Sequence, residues 1–137
     1  MAAKIPEGFK PVRHVTGFIE YAGPFYYRDD EDGQRIYGFQ TDDQHDNPGG
    51  VIHGGALFTF LDFSMSSIAS MVHGGNIATV SLSTDFITGV PVGAFVEAHI
   101  TVQRKARSLA FLRGEVRFED DILIAASGVW RLFPKTD

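Results

Sequence analysis

The chain has 137 residues, enough for one domain that buries roughly two-thirds of its unfolded surface. A net charge of −5 excludes the basic surface on which phosphate-backbone binding relies, and the lack of cysteine excludes thiolate catalysis, disulfides and Cys-ligated zinc. The opening stretch, MAAKIPEGFKPV, carries no apolar run of the secretory kind, and the longest apolar segment, residues 56–72, is short for a span and contains Asp62. A soluble, cytoplasmic protein with no nucleic-acid or membrane partner is expected.

Residues 1–15 contain Pro6, Gly8 and Pro11 without periodicity and read as an irregular arm. Residues 25–28 and 35–41 read as two strands joined by Asp30-Glu31-Asp32-Gly33, where glycine accepts the positive φ of a tight turn. A polar, glycine-rich loop follows over 42–52, centred on Asn47-Pro48-Gly49-Gly50. From 53 to 72 the pattern is helical, with apolar residues almost all the way round, which predicts a buried helix. His73-Gly74-Gly75 ends it, glycine supplying the left-handed stop.

Only strands follow: 78–87, 94–104, 109–119 and 122–133. Within 109–119 the alternation places Ala110, Leu112, Gly114, Val116 and Phe118 on one face and Arg113, Glu115 and Arg117 on the other. Short connections predict an antiparallel, meander-like sheet wrapped around the single helix, an α+β architecture.

Chemistry concentrates on that helix. Its first turn presents unpaired N–H groups and a partial positive charge, suited to a developing oxyanion. Gly54 and Gly55 would let a carbonyl approach those amides, although a Gly-Gly pair also serves a tight helix start. Asp62 is a lone carboxylate among Phe58, Leu61, Phe63 and Met65, so it must be paired, desolvated or functional. At ~100° per residue Gly55 and Asp62 share nearly one face, yet at ~1.5 Å rise they lie ~10 Å apart. One carbonyl cannot meet both within one chain. Antiparallel helices across a two-fold axis would bring each Asp62 to the partner's helix start, so a composite site in an isologous dimer is expected.

Asn47-Pro-Gly-Gly-Val-Ile-His53-Gly54-Gly55, then Asp62, then Thr79-Val80-Ser81-Leu82, resembles the hotdog-fold acyl-CoA thioesterases of the phenylacetate-degradation (PaaI-type) group. The resemblance runs from about Phe18 to Phe133 and implies a hotdog fold, a sheet wrapping a central helix. It implies that Gly54, and with it Gly55, polarises the thioester carbonyl, and that Asp62 of the other subunit acts as nucleophile or general base. Asn47 would orient carbonyl or water, Thr79 would hold the attacking water, and His53 would shape the loop. Such proteins resemble homodimers or homotetramers and need no metal or other cofactor. Basic groups like Arg104, Lys105 and Arg107 meet coenzyme A phosphates in similar proteins, though a solvated hairpin tip has the same composition. Phe58, Phe60 and Phe63 suit either an aryl or medium-chain acyl pocket or the core.

Rival readings have weaker support. The α/β-hydrolases also use His-Gly-Gly but need a GxSxG elbow, which is missing. Hotdog hydratases carry a histidine two residues after the Asn-Pro pair, where this chain has Gly50. A non-catalytic acyl-CoA binding protein would have little use for Asp62. His14, His45, His73 and His99 show no zinc-ligand spacing.

Overall fold

Alternation decides which side of each late strand is buried. Ala110, Leu112, Gly114 and Val116 of β6 (Leu109–Phe118) all face the core, while Arg113 stays in solvent. The computed structural model describes residues 5–135. Its strands are β1 (Lys10–Pro11), β2 (Phe25–Asp29), β3 (Arg35–Gln40), β4 (Ile77–Phe86), β5 (Phe95–Lys105), β6 and β7 (Asp121–Leu132). They form one seven-stranded antiparallel sheet in the order β1-β2-β3-β5-β6-β7-β4.

Two sequence expectations are corrected here. First, the late strands are not a simple meander: β4 pairs with β7, at the far edge from β3. The link from β4 to β5 is tethered to the loop before the long helix, with Ile52 N–H donating to Val90 O at 2.9 Å and Val51 bridging Pro91. It therefore crosses the start of that helix rather than closing a hairpin. Second, the N-terminal arm is partly structured. Lys10 and Pro11 pair with Tyr27 and Tyr26 at the sheet edge, and a short helix, α1 (Gly17–Ala22), follows. Residues 1–4 of the arm lie outside the described residues.

The long helix, α2 (Gly54–His73), lies against the sheet and ends at Gly74, whose φ of 75° only glycine adopts easily and whose N–H reaches Ser70 O at 2.7 Å. Leu57, Phe60, Leu61, Met65 and Ala69 form its buried stripe. Met65 seats directly over Gly114, where an added Cβ would meet its sulfur at 3.0 Å. The expectation of a helix buried all round does not hold. Phe58, Met71 and Val72 remain exposed, because one sheet can cover only one stripe of a cylinder. The same helix is long and apolar enough by composition to cross a membrane, yet its apolar stripe is spent on the sheet.

Truncating the residue that docks helix to sheet tests this packing. Met65→Ala should lower unfolding stability by about 2–5 kcal/mol, read from the midpoint of a urea titration with an unchanged slope.

Candidate active site

The loop before α2 is organised by two polar side chains. Buried His45, closing a single 3-10 turn (Asp43–His45), accepts the Asp42 N–H on Nδ1 at 3.0 Å, with Nε2 2.7 Å from Ala22 O. Its own carbonyl accepts the His53 N–H at 2.7 Å, so His45 ties α1 and the loop through its imidazole and the helix start through its backbone. Asn47 closes the Pro48-Gly49-Gly50 turn: its Oδ1 accepts from Gly49 N–H at 2.8 Å and Val51 N–H at 3.3 Å. The Asn47 oxygen is thus engaged within the loop, leaving its amide nitrogen as the group with no partner among the described residues.

His53 is the N-cap of α2, and its Nδ1 accepts the Gly55 N–H at 2.8 Å. Ala56 and Leu57 donate to the His53 carbonyl. Of the first helical amides, only that of Gly54 has no acceptor among the described residues. Gly55, the second amide expected to face a carbonyl, is already committed to the cap. Beside this start lies a cleft of about 420 Å³, walled by Phe18, Tyr21 and Ala22 of α1 and by Gly55, Ala56 and Thr59 of α2. Phe58, 38% exposed, does not line it; Phe60 is core, and Phe63 packs on Phe25 and Tyr37. The aromatic wall comes instead from α1, whose six residues are too few to show helical periodicity in the sequence. The Phe18-Ile19 and Tyr21 cluster was its only trace.

Asp62 lies two turns on, in a separate cleft of about 430 Å³ with Ile19, Phe63, Ser66, Ser70 and Asn76. No cation pairs with it among the described residues; its partners are hydroxyls. Thr79 Oγ1 donates to Asp62 Oδ1 at 2.8 Å, and Ser66 Oγ lies 3.5 Å from the same oxygen. Asp62 Oδ2 has no partner among the described residues. Ser66 Oγ is also 3.2 Å from Thr79 Oγ1 and accepts the indole N–H of Trp130 at 2.8 Å. Sequence reasoning missed Ser66 and Trp130. The available signals were a serine one helical turn after Asp62 and the chain's single tryptophan.

Helix α2 runs antiparallel to β4, so its features map onto the two ends of that strand. Gly54 meets Phe86, whose ring would stand 3.4 Å from an added Cβ, and Asp62 meets Thr79. Arg104, Lys105 and Arg107 are exposed at the β5–β6 hairpin and form no ion pair among the described residues. That tip sits at the Asp62 end: Leu132 N–H donates to Ser108 O at 2.8 Å, and Phe133 N–H to Asn76 O at 3.1 Å. Arg117, by contrast, pairs with Glu115 at 2.9 Å on the outer face of the sheet. Among the described residues, no three His, Asp or Glu side chains are grouped to hold a metal ion.

The profile of the thioesterase superfamily matches residues 49–125, a stretch that contains the helix start, Asp62 and Thr79. The chain belongs to the thioesterase superfamily. A "Putative esterase" of Pseudomonas aeruginosa is 31% identical over 130 residues, spanning 93% of this chain and 97% of that protein. The phenylacetic acid degradation protein PaaI of Thermus thermophilus is 22% identical, with a TM-score of 0.76 over 85% of this chain and 98% of its own. A Bacillus halodurans protein solved with CoA is 17% identical, with a TM-score of 0.81 over 91% of this chain and 83% of that one. At such identities the structural likenesses speak for the fold, and the fold of this chain is the hotdog fold.

Removing the imidazole cap is expected to weaken the helix start. His53→Ala should lose about 1 kcal/mol of stability in thermal denaturation, and His53→Asn, which keeps a capping acceptor, should lose less.

Proposed function

We propose that this thioesterase hydrolyses acyl-CoA, with aryl or medium-chain acyl groups, to the free acid and CoA thiol. One observation carries the reading: a helix-start amide without an acceptor, Gly54, sits between two residues that line one cleft, and a carboxylate without a donor on Oδ2, Asp62, lines another, on neighbouring faces of one helix. The Gly54 N–H would receive the thioester carbonyl oxygen, where negative charge develops in the tetrahedral state. Asp62 Oδ2, aided by Oδ1 anchoring at Thr79, would remove a proton from the attacking water or attack the carbonyl itself. The carbon–sulfur bond then breaks, the electron pair leaves with the CoA sulfur and the thiolate takes up the proton given by water; on the direct route, water then hydrolyses the mixed anhydride of Asp62 to release the acid. In single turnovers run in labelled water, label found in Asp62 would mark direct attack.

The composite site receives support from the sheet edge. β4 is a ten-residue edge strand whose Val80 and Phe86, and the neighbouring Ile87, are 60%, 51% and 60% exposed. An edge of this length is a template for pairing. Antiparallel pairing of two copies about a two-fold axis between Leu82 and Ser83 would set Thr79 of one chain opposite Phe86 of the other. Because Phe86 borders Gly54 and Thr79 holds Asp62, the partner subunit's Asp62 would arrive beside Gly54. The basic hairpin, at the Asp62 end, would come with it, ready for the phosphates of CoA. A homodimer is the minimal unit on this reading, and two such dimers would make the homotetramer. The α1 aromatics that wall the cleft beside the helix start favour aryl and medium acyl tails over small ones.

Thiol release from a panel of aryl and fatty acyl-CoAs checks the assignment. Turnover should fall by about a hundredfold or more in Asp62→Asn; unchanged turnover would remove Asp62 from the mechanism. If no ester turns over but the esters still bind, the protein is an acyl-CoA carrier. Gly54→Pro is the sharper variant. Proline is tolerated at the first helical position, and His53 already has the extended backbone (φ −60°, ψ 133°) that precedes proline. It removes the one N–H, so kcat should drop by about a hundredfold or more. Gly54→Ala, which adds a similar first carbon but keeps the N–H, should lose far less. Mixing Asp62→Asn with Gly54→Pro chains should restore activity in heterodimers, and no recovery would overturn the shared site.

A further inference from the structure

Asp62 is held at one oxygen only, and the hydrogen-bond directions around it follow from donor chemistry. The indole N–H of Trp130 can only donate, so at 2.8 Å it must occupy a lone pair of Ser66 Oγ. Ser66 is thereby left to direct its single proton elsewhere, toward Thr79 Oγ1 at 3.2 Å or Asp62 Oδ1 at 3.5 Å. In the first case the Thr79 oxygen becomes an acceptor, and its own proton goes to Asp62 Oδ1 at 2.8 Å. Every proton along Trp130, Ser66, Thr79 and Asp62 then points the same way, toward the carboxylate.

The origin of the chain is rigid. Trp130 is fully buried and stands opposite Thr79 in the β4–β7 ladder. Its ring lies across Gly128, where an added Cβ would come within 2.6 Å of the indole and 2.8 Å of Ser81 O. The ladder breaks register between Thr79 and Ser81, and this bulge sits at the residue whose hydroxyl must face α2. A lone indole N–H in a core needs an acceptor, and here the acceptor is a serine one turn beyond Asp62.

We infer that Trp130 and Ser66 are positioning residues for Asp62: a donor relay that starts at the buried Trp130, commits Oδ1 to Thr79 and leaves Oδ2 to face the reacting atoms. The inference rests on the proposed role of Asp62. Ser66 and Trp130 touch neither ester nor water in this scheme; they act by holding Thr79 and the carboxylate in one orientation. Polarisation along the chain strengthens each successive bond, so losing its first members loosens the last.

The full-length protein provides two independent readouts. With one tryptophan in the chain, a nitrogen-15 spectrum contains a single indole N–H resonance. Ser66→Ala should move that resonance and speed its exchange with solvent, and Asp62→Asn should move it as well through Thr79. In the thiol-release assay, Ser66→Ala should lower kcat by about tenfold with KM within about twofold, the loss of one hydrogen bond serving a charged group. Ser66→Thr, which retains the Oγ, should recover most of that loss. Ser66→Ala combined with Thr79→Val should cost little more than Thr79→Val alone, because both break one chain. Trp130→Phe should follow Ser66→Ala, and Ser66→Ala stands as the test if the tryptophan variant does not fold. A collapse in Asp62→Asn together with normal kcat and an unmoved indole resonance in Ser66→Ala would overturn the relay while leaving the carboxylate's role intact. Full activity in Asp62→Asn would instead remove the proposed role of Asp62 on which the relay depends.

Discussion

Helix α2 carries apolar residues around much of its circumference, but the sheet covers one stripe. Leu57, Phe60, Leu61, Met65 and Ala69 are taken into the core, and their burial holds the helix in one rotation. That rotation leaves Asp62 beside β4, where a carboxylate without donors would be expensive. Thr79 and Ser66 supply the donors. Everything else in the candidate site hangs on this bond between helix and edge strand: it sets which carboxylate oxygen stays open and which strand end the acid belongs to.

The helix start obeys a complementary economy. An α-helix begins with four amides lacking intrahelical acceptors, and each must be capped, solvated or used. Here the His53 side chain takes Gly55 and the His53 carbonyl takes Ala56 and Leu57, so the amide left over is Gly54. Beneath it, buried His45 fastens α1, the loop and His53 into one unit. The two histidines, by their contacts, hold the loop and helix start that present this amide.

Hotdog domains share a helix wrapped by a sheet, and a shared fold by itself leaves function open. What narrows it in this chain is local: an amide and a carboxylate at opposite ends of one strand, with exposed cations at the acid's end. Within one chain these groups are too far apart to serve one carbonyl. An edge strand with an unpaired, partly apolar border gives a symmetric way to bring them together. The physical logic of the proposed site and that of the proposed dimer are the same.

Much of this was legible in the residues. Period-2 alternation marked β6 and which side of it is buried, glycine marked the end of α2, and the position of Asp62 in an apolar run marked it as exceptional. Helix geometry alone, through ~100° and ~1.5 Å per residue, separates Gly55 from Asp62. What the residues could not express were choices made by distant contacts. The placement of β4 beside β7, the folding of α1 against the loop, and the taking of Gly55's amide by His53 depend on partners remote in sequence or on side-chain rotamers. So does the indole of Trp130, which reaches Ser66 across 64 positions of chain. Local sequence determined the elements and the reactive groups they carry, because periodicity and backbone restriction act over a few residues. Tertiary structure decided which amide, which oxygen and which edge remain free, because satisfying buried polar groups is settled only when every partner is in place.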